Sequence, residues 1–268
     1  MNAFLRFDGS HATQAQAQYH SPEMVRQRAH LRSLLALRPG QRVLDIGCGP
    51  GILTKEVAAD VGPGGEVCGI DISESMLALA KHRCDDEDRV TLRPGRAEDI
   101  PFGDEEFDAA IAVQVYEYVP DVERALAELF RVLRPGGRAV ILDTDWDSLV
   151  WYTENRSRMR DILELWDGHL ADPRLPERLG PLLGRAGFEE HDLTTLTFLN
   201  RDCHEGTYSF WLIGFVESFI REQGVFSPEQ AHSWAEELHA RAGRQRYFFS
   251  LDRYAFTVSR PACAGVQV

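Results

Sequence analysis

The stretch VLDIGCGPG at residues 43–51 constrains this chain more than any other part of it. A short apolar run gives way to Gly47, Gly49 and Gly51, and a helical pattern follows. A strand, a tight turn and a helix in that order let a ligand approach the backbone, because the glycines carry no Cβ atoms. The spacing argues against two common phosphate-binding turns. The dinucleotide fingerprint GxGxxG needs glycine at position 52, where Ile52 stands, and a Walker A loop needs Gly-Lys-Ser/Thr, which is absent. Asp45, just before the glycines, would repel an anionic cofactor and suits a ligand with an ammonium or sulfonium charge.

Around this turn the chain alternates strands with helices. Helical spacing begins at Pro22 and stops at Arg38-Pro39-Gly40. Strands are expected at residues 42–47, 66–73, 90–95, 107–115 and 138–146, with helices at 54–60, 74–84 and 122–132 between them. Ser73 is placed to cap the helix that follows it. This alternation predicts a doubly wound α/β fold with a mostly parallel sheet. Beyond Trp146 the rhythm changes. Residues 151–170 read as an added helix, 175–188 as a core helix and 192–199 as strand six. Helices at 207–223 and 228–241 precede a seventh strand at 247–258.

The expectation is one domain over residues 1–268, with an N-terminal helical segment (1–40) and two helical cap insertions (147–172 and 202–245). An insertion as long as the second is usually a lid or an extra packing element. Its apolar face is also compatible with a homodimer interface.

Composition narrows the partners. The 42 acidic against 29 basic side chains give a net charge of −13, which disfavours a phosphate backbone as partner. No apolar stretch approaches the roughly 18 residues of a membrane span. The first twenty residues, which include a Gln/Ala stretch from Ala12, lack the apolar core of a signal peptide, so a cytoplasmic location is expected. Cys48, Cys68, Cys84, Cys203 and Cys263 are scattered, with no spacing suited to a metal site or a disulfide framework.

From the glycine turn onward the chain resembles the class I S-adenosylmethionine-dependent methyltransferases, in particular the small-molecule, type 11-like members. The motifs are the acidic residue before GxGxG, Asp71 closing GIDIS, GRAEDIPF at 95–102, FDAAIAVQVYEYV from 107 and LFRVLRPGGRAVILD leading into strand five. The similarity covers residues 42–145 and returns in RAGF and in YFFSLDRYAFTV, which resembles the family's final antiparallel strand. It implies a seven-stranded sheet and S-adenosyl-L-methionine as cofactor.

The resemblance also implies site residues. Asp45, Gly47, Cys48, Gly49, Gly51 and Ile72 would hold the cofactor, with Asp71 on the ribose hydroxyls and Met76 beside the adenine. Ala97 and Glu98 would read the adenine amino edge, and Gln114 would lie by the methionine part. Tyr19 and Arg28 are candidates to cover the cofactor and meet its carboxylate. Where many small-molecule relatives carry histidines after strand four, this chain has Tyr116-Glu117-Tyr118. Glu117 and Asp145 are therefore the candidate catalytic carboxylates, and Tyr116, Trp146 and Trp211 the candidate acceptor contacts. No metal is expected. The expected activity is methyl transfer to O, N or C of a small-molecule acceptor. A cofactor-binding module, or a non-methylating enzyme on the same fold, is the alternative.

Overall fold

The computed structural model describes residues 18–242 and 246–262. The Ala12 stretch, the Gln245 end of the second insertion and Cys263 lie outside these. The described chain divides into two units. One comprises residues 28–144, 174–195 and 254 onward, and the other runs to Gln27 and includes 145–173 and 196–253.

The elements run α1 (Pro22–Leu35), β1 (Arg42–Ile46), α2 (Ile52–Val61), β2 (Glu66–Asp71), α3 (Glu74–Arg83), β3 (Val90–Pro94) and β4 (Phe107–Val113). A 3-10 turn (Tyr116–Tyr118), α4 (Val122–Val132), β5 (Leu133–Trp151), α5 (Arg156–Trp166) and α6 (Leu175–Arg185) follow. β6 (Glu189–Asn200), α7 (Tyr208–Glu222), α8 (Pro228–His239) and β7 (Phe249–Ser259) complete the series. Among the described residues seven strands form one sheet in the order β3-β2-β1-β4-β5-β7-β6. The pairs β1–β2, β1–β4, β2–β3 and β4–β5 are parallel. β7 runs antiparallel, and its end is tied in by a hydrogen-bond pair. Gly136 N–H donates to Arg260 C=O (2.8 Å) and Arg260 N–H to Gly137 C=O (2.9 Å).

The first unit carries the core that the alternation predicts. Val43, Leu44 and Ile46 of β1 are buried, as expected of a central parallel strand. In α4 the buried positions are Val122, Ala125, Leu126, Leu129 and Val132, the i, i+3, i+4 stripe of a helix facing a sheet. Asp121 starts that helix by accepting the Arg124 N–H at 3.1 Å. The sequence reading errs most at strand five. The strand was expected from residue 138, yet Arg134-Pro135-Gly136-Gly137 is already part of β5, because the Arg260 pairing above supplies strand partners there.

Its other end also runs on: residues 147–150, assigned to the first cap insertion, and Trp151, expected to open a helix, remain extended. Tyr152 N–H donates to Phe248 C=O at 3.0 Å, and the Trp151 ring lies 5.2 Å from Phe249. The helix begins only at Arg156, after Asn155 caps it by accepting the Arg158 N–H. In the same unit α7 packs on α5 and α8. No helix among the described residues is long and apolar enough to cross a membrane.

Candidate active site

Strand order reverses between β1 and β4, and open α/β sheets bind ligands at the carboxyl ends of strands flanking such a reversal. The glycine turn follows β1 there. Gly47 adopts φ +67° and Gly51 φ +76°, conformations that side chains rarely take. A Cβ on Gly47 would run into the Val115 side chain, from the segment after β4. One on Gly51 would lie 2.9 Å from Ala80 Cβ in α3. The turn thus fills the reversal point with backbone, held by Cys48 N–H on Ile70 C=O (2.9 Å) and Gly51 N–H on Cys48 C=O (3.0 Å). Cys48 is buried, and burial pushes its thiol up, away from thiolate chemistry.

Two carboxylates back this turn. Asp45 is buried within β1 and accepts the Thr54 hydroxyl at 2.6 Å. Burial pushes its carboxyl up to about 7, and the Asp71 charge adds to the rise, while Thr54 opposes it. Asp71 ends β2 and bridges two backbones. Its Oδ2 accepts Gly49 N–H at 2.9 Å and its Oδ1 accepts Ser73 N–H at 2.8 Å. Burial raises this carboxyl too, against the pull of those N–H groups. Next to it Ile72 is 73% exposed, an apolar side chain left open at a strand end. Met76 and Ala97 are buried beside this region, and Ser73 caps α3 through the Met76 N–H. Glu98 accepts Arg96 Nη2 at 3.2 Å, and its carbonyl accepts Arg124 Nε.

On the other side of the reversal, the segment after β4 and the middle of β5 form a reciprocal clamp. Asp143 Oδ1 accepts the N–H groups of Val115 (3.1 Å) and Glu117 (3.3 Å), while Glu117 Oε2 accepts Thr144 N–H (2.8 Å). Both carboxyls are fully buried. Burial, then the Glu117 charge, drives Asp143 well above the usual aspartate range. Two carboxyls so placed resist ionising together, which favours one proton between them. Tyr116 is fully buried as well, and its hydroxyl has no hydrogen-bond partner among the described residues. The clamp sets the preceding residue. Gln114 takes φ +55°, donates its N–H to Leu142 C=O at 2.6 Å and rests its amide on Thr144 Oγ1 at 3.1 Å.

The remaining candidates have other partners. Arg28 is buried with its Nε 3.0 Å from Glu56 of α2. Tyr19 lies half-buried just before α1. Asp145 accepts Asp147 N–H at 3.1 Å. Trp146 joins an aromatic cluster with Trp166 (5.6 Å) and His169 (5.2 Å), where burial pushes the histidine down to about 3. Trp211 stacks edge-on to Phe210 and donates to Glu205 C=O at 2.8 Å. Thr54 and the pairing of Asp143 with Glu117 escaped the sequence reading. Their partners stand nine and 26 residues away, and no local spacing betrays them.

A doubly wound sheet with this lining at its reversal point defines a cofactor-binding α/β protein, apart from the dinucleotide and nucleoside-triphosphate classes. Comparisons with known proteins agree. Residues 44–141 match the family described as "Methyltransferase domain". A demethylmenaquinone methyltransferase of Symbiobacterium thermophilum is 33% identical over 193 residues, which cover 63% of this chain and 77% of that protein. A putative methyltransferase from Bacillus halodurans superposes with TM-score 0.64 at 20% identity, covering 88% of this chain and all of the other. Phosphoethanolamine N-methyltransferase 2 of Haemonchus contortus, in complex with S-adenosyl-L-methionine, gives TM-score 0.60 at 19% identity, over 95% of this chain and 59% of that one. The chain belongs to the class I S-adenosylmethionine-dependent methyltransferases.

Proposed function

We propose that this chain transfers the methyl group of S-adenosylmethionine to an O, N or C atom of a small organic acceptor. The observation that carries the reading is the pair of carboxyls behind the glycine turn, Asp45 buried and Asp71 half-buried with its Oδ2 on Gly49 N–H. That lining favours a cation and disfavours pyrophosphate. Residues 47–51 would hold the amino-acid part of the cofactor, with Gln114 beside it and Arg28 toward its carboxylate. Asp71 keeps lone pairs beyond its two N–H contacts for the ribose hydroxyls. Ile72 and Met76 would flank the adenine, and Ala97 and Glu98 would meet its amino edge.

The cofactor supplies a methyl group already activated by a sulfonium centre. The residues therefore have to align the acceptor and exclude water rather than provide covalent help. Glu117, fully buried and spent on Thr144 N–H, acts in this reading as a positioning residue for the Gln114–Val115 corner rather than as a general base. The net charge of −13 supports a small acceptor over a nucleic acid. Demethylmenaquinone, named in the Symbiobacterium relative, is the acceptor to assay first.

Calorimetric titration is expected to show S-adenosylhomocysteine binding and no response to NAD or ATP. Incubation with methyl-labelled cofactor and demethylmenaquinol or a metabolite extract should then move label into an extractable product. Tight NAD binding with no response to S-adenosylhomocysteine would overturn the cofactor assignment. Binding without label transfer to any acceptor would favour a non-methylating role on the same fold.

A further inference from the structure

Gln114, on the segment after β4, holds φ +55°, a backbone conformation that side chains rarely adopt. Such a residue persists only where its surroundings over-determine it. Here they do. Gln114 N–H donates to Leu142 C=O at 2.6 Å, Val115 N–H to Asp143 Oδ1 at 3.1 Å, and Thr144 N–H returns to Glu117 Oε2 at 2.8 Å. The same corner meets the glycine turn, since the Val115 side chain fills the space that a Cβ on Gly47 would need.

Those bonds fix the backbone, and one more fixes the Gln114 side chain. Its Nε2 donates to Thr144 Oγ1 at 3.1 Å. Thr144 is fully buried and stands two residues beyond Leu142, which is in register with Val113 of β4. Gln114 itself is half-buried, and its Oε1 accepts no hydrogen bond among the described residues. The carbonyl and the NH2 of an amide share one plane, so a tether on the nitrogen orients the oxygen as well. The corner thus presents a neutral, oriented acceptor next to the glycine turn. An amide oxygen keeps that role across the pH range of a folded protein, whereas burial pushes the Asp45 carboxyl of β1 up to about 7.

We propose that Thr144 is a positioning residue: its hydroxyl holds the Gln114 amide so that Oε1 accepts a hydrogen bond from the α-ammonium of the cofactor. The inference rests on the cofactor assignment above and deepens it by naming the accepting atom and what aims it. A glutamine free to rotate would lose side-chain entropy each time it bound a ligand. The Thr144 bond removes that cost beforehand, because the amide is ordered before the ligand arrives.

The test is calorimetry on the full chain with S-adenosylhomocysteine and with its analogue carrying hydrogen in place of the α-amino group. The ratio of the two dissociation constants isolates the ammonium. T144V keeps the shape of the side chain and removes the hydroxyl, and it is expected to shrink that ratio about threefold to tenfold, the worth of one oriented hydrogen bond. T144S should restore it. Q114M should shrink the ratio at least as far, and T144V added to Q114M should change nothing more, since Thr144 acts through the amide. A merely structural role would weaken both ligands by the same factor. That result, an unchanged ratio in T144V, or additive effects in the double variant overturns the inference and leaves the cofactor assignment standing. A wild-type chain that fails to bind S-adenosylhomocysteine overturns the assignment and this inference with it. If T144V does not fold, Q114M decides: an unchanged ratio there removes Oε1 from the ammonium site.

Discussion

Asp71 holds the glycine turn and the start of α3 together through Gly49 N–H and Ser73 N–H, so its side chain shapes the site before any ligand arrives. Substituting it by alanine should weaken S-adenosylhomocysteine binding by about ten- to a hundredfold, the equivalent of about 1.5–3 kcal/mol for a charge-assisted contact. Calorimetry on the folded variant checks this, and an unchanged dissociation constant would remove Asp71 from the ribose site. Glu117 admits a sharper discrimination. Its carboxyl accepts Thr144 N–H, and an amide oxygen can do the same. E117Q is therefore expected to keep activity within a few-fold and stability near wild type, whereas E117A leaves a buried donor unsatisfied at about 1–3 kcal/mol. A general base would respond in the opposite way: E117Q would lose about a hundredfold or more in kcat, with stability intact.

Among the elements, the turn between β1 and α2 is the least tolerant of change. G47A places a methyl group against Val115 and keeps a non-glycine residue at φ +67°, which should lower stability by about 1–3 kcal/mol and abolish S-adenosylhomocysteine binding. Urea unfolding and titration of the same sample check both, and a wild-type midpoint would show that the loop relaxes freely. The turn was legible in the sequence because its signal is local: glycines at fixed offsets after an apolar run. The same holds for α4, whose buried stripe repeats at helical spacing. β5 was misread at both ends because its boundaries depend on remote partners, Arg260 at one end and Phe248 at the other. Trp146, expected as an acceptor contact from its place at the end of a strand, has neighbours that no local spacing betrays, Trp166 and His169.

At the scale of the molecule, buried carboxyls couple stability to pH. Asp45 titrates near 7 in the folded chain and near 4 when unfolded. The folded state holds this proton more tightly, so its contribution is complete below about pH 4 and is lost as pH rises through about 7. Over about three units this amounts to about 4 kcal/mol for a fully buried group. Asp71 and Asp143 shift in the same direction, and self-repulsion from a charge of −13 adds to the trend. The ligand-free protein should therefore melt at a lower temperature at pH 8 than at pH 6, and D45N should flatten part of that slope. Identical slopes for the two proteins would remove Asp45 as a source. The strand order carries a different consequence, for biosynthesis. β6 leaves the ribosome before β7, yet among the described residues β7 is its one neighbour in the sheet. Until Phe249–Ser259 has been translated, β6 is an unpaired edge open to chaperones or to the same edge on another nascent chain. A premature stop between Asn200 and Phe249 therefore deprives the sheet of two strands, although it deletes only one.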